Sequence, residues 1–223
     1  HGEMAGDQNQ VLKRSMYEAS SHVPLIVCGP DVQKGKTIDT PVSLVDFYPT
    51  FMDMAGINYA NFASTSSYPQ TLDGESFLPQ LTGTGERQRN WIMCEYHGDR
   101  CATGTFMLRQ GDWKYVKHIG FDSELFNISK DPNETTDLIK EKTNIAQQLD
   151  QVLTRNFDCE GIDARAKQYD KESFIAWRKK AKAGGTYHDT MARVYSGYDR
   201  LCIEDIAPWA DESEQQLEAW LTE

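Results

Sequence analysis

The sequence predicts an α/β domain followed by a smaller α+β subdomain with an antiparallel sheet. Two observations support this fold class. A short apolar run that ends at Gly29-Pro30 is typical of a buried strand in an α/β sheet. A polar stretch from 58 to 90 then separates this region from one in which short strand patterns, turn residues and amphipathic patterns alternate. We therefore expect the first domain at 1–88 and the second at 89–223.

Two elements are predicted in the first domain. The run from His22 to Cys28, HVPLIVC, is continuously apolar after its first residue and predicts a buried strand. Apolar residues from Leu44 to Ala55 recur at helical spacing, and Gly56 is suited to end that helix. Pro49 should either kink this helix or begin a second one in its first turn.

The second domain is predicted to contain four short strands and three helices. The strands are bounded by turn residues, and they cover 91–96, 105–109, 113–117 and 124–127. The second and third of these flank Gln-Gly-Asp at 110–112, which predicts a hairpin. Amphipathic spacing predicts helices at 145–153, at 174–181 with Asp170 as its cap, and at 217–221.

Composition excludes several classes of protein. The 223 residues carry a formal net charge of −11, which argues against nucleic acid as a partner, because phosphate binding needs a basic face. No apolar run approaches the roughly 18 residues that predict a membrane span. None of the five cysteines forms a CxxC pair, so a zinc finger or ribbon is not expected. Sequons at Asn127 and Asn133 indicate glycosylation and a secretory, lysosomal or secreted location.

The beginning of the chain concentrates groups that can do chemistry. His1, Lys13 and His22 precede or start the predicted strand, and ligands usually bind at strand ends of α/β sheets. Histidine can ligate a metal or move a proton, and lysine can hold an anion. From spacing alone, a functional site and ordinary surface residues both remain open.

The order of motifs resembles the later part of the sulfatase catalytic domain. The pattern H-G-E-x9-K-x8-H-V-P-L-I runs into S-L-V-D-x-Y-P-T-x-x-D-x-A-G-I. Further along, M-L-R-x3-W-K-Y and E-L-F-N-I-S-K-D-P-N-E-T-T-D-L resemble the closing hairpin of that family. The resemblance implies an alkaline-phosphatase-like fold with a smaller C-terminal subdomain, and hydrolysis of sulfate esters.

The resemblance also implies roles for two residues and two cofactors. His1 matches the histidine of an Asp-His pair that completes a calcium site, most ligands of which would lie outside this chain. Lys13 matches the sulfate-binding lysine, a catalytic-site residue. The family nucleophile is a formylglycine made within C-x-P-x-R, and none of the five cysteines here stands in that motif. We therefore expect a C-terminal fragment that is inactive without the N-terminal part of the same protein.

Narrower similarities within the family suggest a substrate. M-Y-E-A-S-S-H-V-P, E-Y-H-G and Q-Y-D-K-E-S-F-I-A-W-R resemble members that act on 2-sulfated glucuronate in glycosaminoglycans. In that case His97 and Arg100 border the substrate pocket and could meet a uronate carboxylate. A small sulfate ester is another possible substrate. A phosphodiesterase or phosphonate hydrolase of the same superfold, and a non-catalytic fragment, remain alternatives.

Overall fold

The structure is a computed structural model that describes residues 2–64, 71–98, 101–199 and 211–222. Within these ranges it contains one antiparallel sheet in the order β1-β2-β3-β4, formed by Trp91–Tyr96, Thr105–Gln110, Trp113–His118 and Glu124–Asn127. The α-helices, α1 to α8 in chain order, are Glu18–Ser21, Phe47–Met54, Tyr59–Ser64, Leu78–Thr82, Thr143–Asn156, Cys159–Ala183, Tyr187–Asp199 and Asp211–Thr222. This mixed content confirms the predicted fold class.

The chain divides into two compact units, His1–Asp163 and Ala164–Glu223. The boundary predicted between 88 and 89 lies inside the first unit. The Lys114 ammonium contacts Glu18 Oε1 at 2.9 Å, so charged contacts join the two sides of that boundary. The division into 1–88 and 89–223 therefore stays a prediction about the complete protein.

The four predicted strands are confirmed, and the hairpin forms as expected. β2 and β3 pair antiparallel with Gln110 opposite Trp113, which leaves Gly111 and Asp112 as the connecting turn. β1 pairs with β2, and β3 pairs with β4, also antiparallel. Since neighbouring strands in sequence are neighbours in the sheet, turn chemistry and local pattern were enough to predict this part.

The main core of the first unit lies between one face of the sheet and α5. Phe106, Leu108 and Tyr115 project from the sheet, and they pack with Leu149 and Leu153 of the helix. The helix shows apolar residues at intervals of three and four, so it buries one stripe and exposes the rest. The predicted helix at 145–153 is thus confirmed and slightly longer.

The opposite face of the sheet is also covered. Met107 and Val116 point to this side and pack against Met16. Met16 belongs to a stretch from Gly2 to Ser21 that we call the front segment. The front segment therefore lies on the sheet, and residues early in the chain share a core with residues about a hundred positions later.

The strand predicted from His22 to Cys28 is wrong. These residues adopt no regular structure, and Ile26 is 91% exposed. A strand needs a neighbouring strand to satisfy its backbone hydrogen bonds, and the sheet within the described ranges contains only the four later strands. Four apolar side chains further along are exposed as well: Leu44, Val45, Tyr48 and Phe51.

The helix predicted from Leu44 to Ala55 forms in two parts. A 3-10 turn covers Leu44–Asp46, and α2 follows at once with Pro49 in its first turn. Of the two outcomes predicted for Pro49, a kink or a second helix, the second is therefore confirmed. Gly56 adopts φ +67°, the left-handed conformation that suits glycine at a helix end, so its predicted role is confirmed.

The second unit, described by itself, is helical. α6 begins at Cys159, well before Asp170, so the predicted cap is wrong and Asp170 lies within the helix. α7 was not predicted, and α8 includes the predicted helix at 217–221. Ala181, Tyr187 and Met191 form its small core.

An ionic cluster joins the helices of this unit. Glu214 of α8 accepts hydrogen bonds from Arg178, Lys182 and the Tyr187 hydroxyl, at 2.5, 3.1 and 2.8 Å. Burial raises the pKa of Glu214, but these three donors outweigh it and lower the pKa to about 2.

Candidate functional site

The front segment folds back on itself, so that its beginning lies against α1 at its end. The Gly2 amide donates to the Ser20 carbonyl at 2.8 Å, and the Met4 amide donates to the Leu12 carbonyl at 2.7 Å. A Cβ atom on Gly2 would lie 1.9 Å from the Ala19 carbonyl oxygen, so only glycine allows this approach. The Met4 side chain is fully buried. The beginning of the segment is therefore held by α1, the helix at its end.

Lys13 lies on this folded segment with its side chain in solvent. Its neighbour Leu12 is fixed on both sides, since the Leu12 amide donates to Glu3 Oε1 at 2.5 Å and its carbonyl accepts from Met4. The Lys13 side chain is exposed, and no hydrogen bond or ion pair connects its ammonium to other residues of the described ranges. The Lys13 ammonium is thus exposed to solvent, while hydrogen bonds of the neighbouring Leu12 restrain the backbone that carries it.

A buried ion cluster fixes α1 to the rest of the unit. Lys114 of β3 is fully buried, and its ammonium lies 2.9 Å from Glu18 Oε1 and 2.7 Å from Glu134 Oε1. Glu134 Oε2 accepts a hydrogen bond from the Glu18 amide at 2.6 Å. We call these three residues the Lys114 triad. A lysine on a short hairpin is usually exposed, but Lys114 is buried here and its charge is met by two carboxylates.

The two carboxylates of the triad respond differently to burial. Burial raises the pKa of Glu18, but the Lys114 ammonium outweighs this effect and the pKa stays below its usual value. For Glu134 burial dominates over Lys114 and the pKa is raised. Glu18 therefore carries the firmer negative charge, and it also holds the exposed His22 through a contact of 2.8 Å between Oε2 and Nδ1.

A cavity of about 380 Å³ lies between the front segment and the sheet. Its polar wall includes Arg14, Tyr17, His118 and Glu124, and Lys13 is not part of its lining. The Tyr17 hydroxyl donates to Glu124 Oε1 at 3.2 Å, and His118 Nε2 lies 3.2 Å from Glu124 Oε2. Burial and then the neighbouring Glu124 carboxylate raise the pKa of Tyr17 to about 12, so Tyr17 remains a neutral donor.

His97 follows β1 and is partly exposed. Its ring packs edge-on against Phe106 with centroids 5.2 Å apart, and a Cβ atom on Gly104 would lie 2.7 Å from His97 Cε1. Within the described ranges neither ring nitrogen makes a hydrogen bond, and Oε2 of Glu95 lies 3.6 Å from Nε2. The ring is therefore fixed in orientation, and both of its nitrogens are buried without a hydrogen-bond partner in the described part of the chain.

Four other predicted positions remain, and two of them are outside the residues that the structure describes. His1 and Arg100 are outside the described residues. Asn133 is exposed, whereas Asn127 is only 5% exposed and its Oδ1 accepts from the Ser129 hydroxyl and the Lys130 amide. Of the two sequons, the one at Asn133 is accessible for a glycan.

A metal site is not assembled by the described part of the chain. No group of three or more His, Cys, Asp or Glu side chains in that part is placed to hold an ion. The described residues therefore do not fit a calcium ion by themselves, because calcium takes six to eight oxygen ligands. Over the same residues, no helix combines the length and apolar character needed to cross a membrane.

Sequence reasoning missed a second buried cluster. Asp46 is fully buried, and its carboxylate contacts Arg87 at 3.0 Å and Arg89 at 2.5 Å. Asp46 also accepts from the backbone amides of Ser43 and Glu75. This cluster ties the start of α2 to the stretch before β1. The available signal was Asp46 in the S-L-V-D motif, an acidic residue within an apolar helical pattern.

Comparison with known proteins identifies the family. The profile of the family described as N-sulphoglucosamine sulphohydrolase, C-terminal, matches residues 6–158, more than half of the chain. The chain therefore belongs to this sulfatase C-terminal family, as its motifs predicted. It is 37% identical over 204 residues to arylsulfatase K of Bos taurus, which covers 87% of this chain and 36% of that relative. The chain thus spans little more than a third of the relative's length.

Solved structures agree with this assignment. A structure described as a 2-O GAG sulfatase superposes with a TM-score of 0.60 and 26% identity, covering 75% of this chain and 35% of the other. A phosphonate monoester hydrolase of Agrobacterium radiobacter superposes with a TM-score of 0.57 over 70% of this chain and 33% of the other. At 24% identity, the second similarity shows the fold alone.

Proposed function

We propose that this chain is the C-terminal part of a sulfatase, and that the complete protein hydrolyses the 2-sulfate of glucuronate in glycosaminoglycans. Family membership and the similarity to arylsulfatase K support a sulfatase. The observation that carries the proposal is Lys13, which has the spacing of the family's sulfate-binding lysine and lies exposed on a backbone fixed on both sides.

Lys13 suits the chemistry of sulfate ester hydrolysis. The ester is anionic, and the bridging oxygen gains negative charge as the S–O bond breaks. An ammonium group beside the sulfate stabilises that charge and can donate a proton to the leaving oxygen. In this proposal His1 belongs to a calcium site whose remaining ligands, together with the formylglycine, lie in the N-terminal part of the complete protein.

The substitution Lys13→Ala tests this role in the complete protein. We expect turnover of a sulfated substrate to fall by roughly 100-fold to 1000-fold, because one contact to the developing charge is lost. Since Lys13 makes no contact that supports the described fold, the thermal unfolding temperature should stay nearly unchanged. Lys36→Ala, at another exposed position, is the matched control. Unchanged turnover in Lys13→Ala would show that the sulfate-binding lysine is elsewhere.

The proposed uronate contact involves His97 and Arg100. A charged or hydrogen-bonding group near a carboxylate can orient the sugar. Both nitrogens of the fixed His97 ring are buried, and neither has a hydrogen-bond partner among the described residues. We propose glucuronate as the preferred sugar on the similarity to arylsulfatase K. The test compares 2-sulfated glucuronate and 2-sulfated iduronate disaccharides as substrates of the complete protein. Equal rates, or a preference for iduronate, would reject the choice of glucuronate.

A phosphonate or phosphodiester hydrolase is the second candidate, since a phosphonate monoester hydrolase shares the fold. The two candidates differ in the nucleophile motif upstream of this region: C-x-P-x-R supports a sulfatase, and Thr or Ser in its place supports the alternative. Assays of the complete protein with a sulfate monoester and a phosphonate monoester give an independent answer. A higher kcat/KM on the phosphonate would reject the sulfatase.

The isolated 223-residue chain is expected to be inactive, because it carries no C-x-P-x-R motif. Detectable hydrolysis of a sulfate ester by the purified chain would contradict this expectation. We further propose a lysosomal or secreted location, which the exposed sequon at Asn133 supports.

A further inference from the structure

We infer that Lys114 is a positioning residue for the front segment, and that through α1 it sets the place of Lys13. The inference rests on the proposed function, since it concerns the same site. Lys114 does not reach the sulfate site itself: it lies in β3 and is fully buried. Its effect passes through Glu18, the first residue of α1 and five positions after Lys13.

The Lys114 triad is the main polar connection between α1 and the rest of the unit. The ammonium joins two carboxylates at 2.9 and 2.7 Å, one on α1 and one on the turn that follows β4. Glu134 has a second role, because its other oxygen accepts from the first amide of α1 at 2.6 Å. Removing the ammonium leaves two carboxylates close together without a counter-charge, and their repulsion pushes α1 away from Glu134.

A displacement of α1 would reach two other points of the front segment, Gly2 and Leu12. Gly2 is held by the Ser20 carbonyl of α1 through a hydrogen bond of 2.8 Å. Leu12, the neighbour of Lys13, is held by Met4 and Glu3, which lie directly after Gly2. Lys13 has no side-chain partner in the described structure that would keep it in place independently. Its position is therefore set by the backbone, and the backbone is set by α1.

The test compares Lys114→Met with Lys114→Arg and Lys117→Met in the complete protein. Lys117 lies on the same strand and pairs with Asp150 at 3.2 Å, away from the front segment, so it is a matched control. We expect Lys114→Met to lower kcat about 10-fold or more with KM changed less than about threefold, because misplacement of a catalytic group by about 1 Å can cost 100-fold. Lys114→Arg should recover most of kcat, and Lys117→Met should stay within about twofold of wild type.

Hydrogen exchange over residues 2–20 gives a readout independent of activity. The amides of Gly2, Met4 and Leu12 should exchange at least about tenfold faster in Lys114→Met than in wild type or Lys117→Met, as expected when local opening becomes easier. If Lys114→Met does not fold, Glu134→Gln keeps the size of the side chain and should accelerate the same amides.

The outcomes separate this inference from the proposed function. Unchanged exchange over 2–20, or equal loss of kcat in Lys114→Met and Lys117→Met, would overturn the positioning role. If wild type fails to hydrolyse sulfate esters while the front segment still loosens in Lys114→Met, the proposed function is wrong and the structural half of the inference stands.

Discussion

Removing the buried ammonium of the Lys114 triad should destabilise the first unit strongly at neutral pH. Lys114 is fully buried and Glu134 is 4% exposed, so Lys114→Met leaves a buried carboxylate without its partner. Breaking a buried pair in this way costs about 3–5 kcal/mol. For a chain of this size the loss corresponds to a decrease in Tm of roughly 6–20 °C. Lys117→Met breaks only partly exposed pairs and should cost about 1 kcal/mol or less.

The cost of Lys114→Met should shrink as the solution becomes acidic. The folded pKa of Glu18 lies below its usual value of 4.5, so its contribution is present above pH 4.5 and is lost as pH falls through the folded pKa. The pKa of Glu134 is raised in the fold, so folding favours its protonated form and the cost of its charge disappears at low pH. Without Lys114 both pKa values rise, and protonation relieves the repulsion.

Thermal unfolding of wild type and Lys114→Met, measured at pH 7 and at pH 4.5, tests this reasoning. The difference in Tm should be larger at pH 7 than at pH 4.5. A difference that is equal at the two pH values, or larger at pH 4.5, would refute the assignment of charge to the triad. A loss below about 1 kcal/mol at pH 7 would show that the site admits water or rearranges.

Three further predictions concern other parts of the chain. Asp46→Asn should lower stability by about 3–5 kcal/mol in urea unfolding because it leaves two arginines without their buried carboxylate, whereas Asp53→Asn at an exposed position should stay within about 0.5 kcal/mol. Glu214→Gln should make α8 more sensitive to protease at pH 7, and Asp170→Asn is the control. In wild type the protection of α8 should persist down to pH 4.5 and weaken between pH 4.5 and 2. The reason is that the pKa of Glu214 is lowered to about 2, so its stabilising charge is lost over that interval. Asn133→Gln should abolish a mass shift by glycosidase in protein made through a secretory pathway, and persistence of the shift would identify another glycan site.

The antiparallel sheet could be predicted because its contacts are local in sequence. Each strand pairs with the next one along the chain, and the turn between β2 and β3 is short and contains glycine. The pattern of apolar residues in each strand and the turn residues between strands thus contain most of the required information. The same holds for α5, whose apolar stripe follows from a period of 3.6 residues.

The charged clusters could not be predicted in this way, because their members are far apart in sequence. In β3 the residues alternate between the two faces, with Lys114 and Val116 on the same side. Read locally, a lysine on that side indicates a face open to water. The face is covered instead by the front segment, whose Glu18 is 96 positions away and supplies the opposite charge. Burial of Lys114 therefore depends on a contact between distant segments that no local pattern encodes.

The wrong strand at 22–28 and the unpredicted burial of Lys114 have one physical cause. An apolar run becomes a strand only if a neighbour satisfies its amides, and a charged residue becomes part of a core only if a partner satisfies its charge. Residues 22–28 lack such a neighbour within the described ranges, while Lys114 has two partners there. Local sequence sets which groups need a partner, and the tertiary arrangement decides which of them obtain one. For the candidate site, Lys13 could thus be found from its motif, whereas the triad proposed to hold it in place is visible only in the fold.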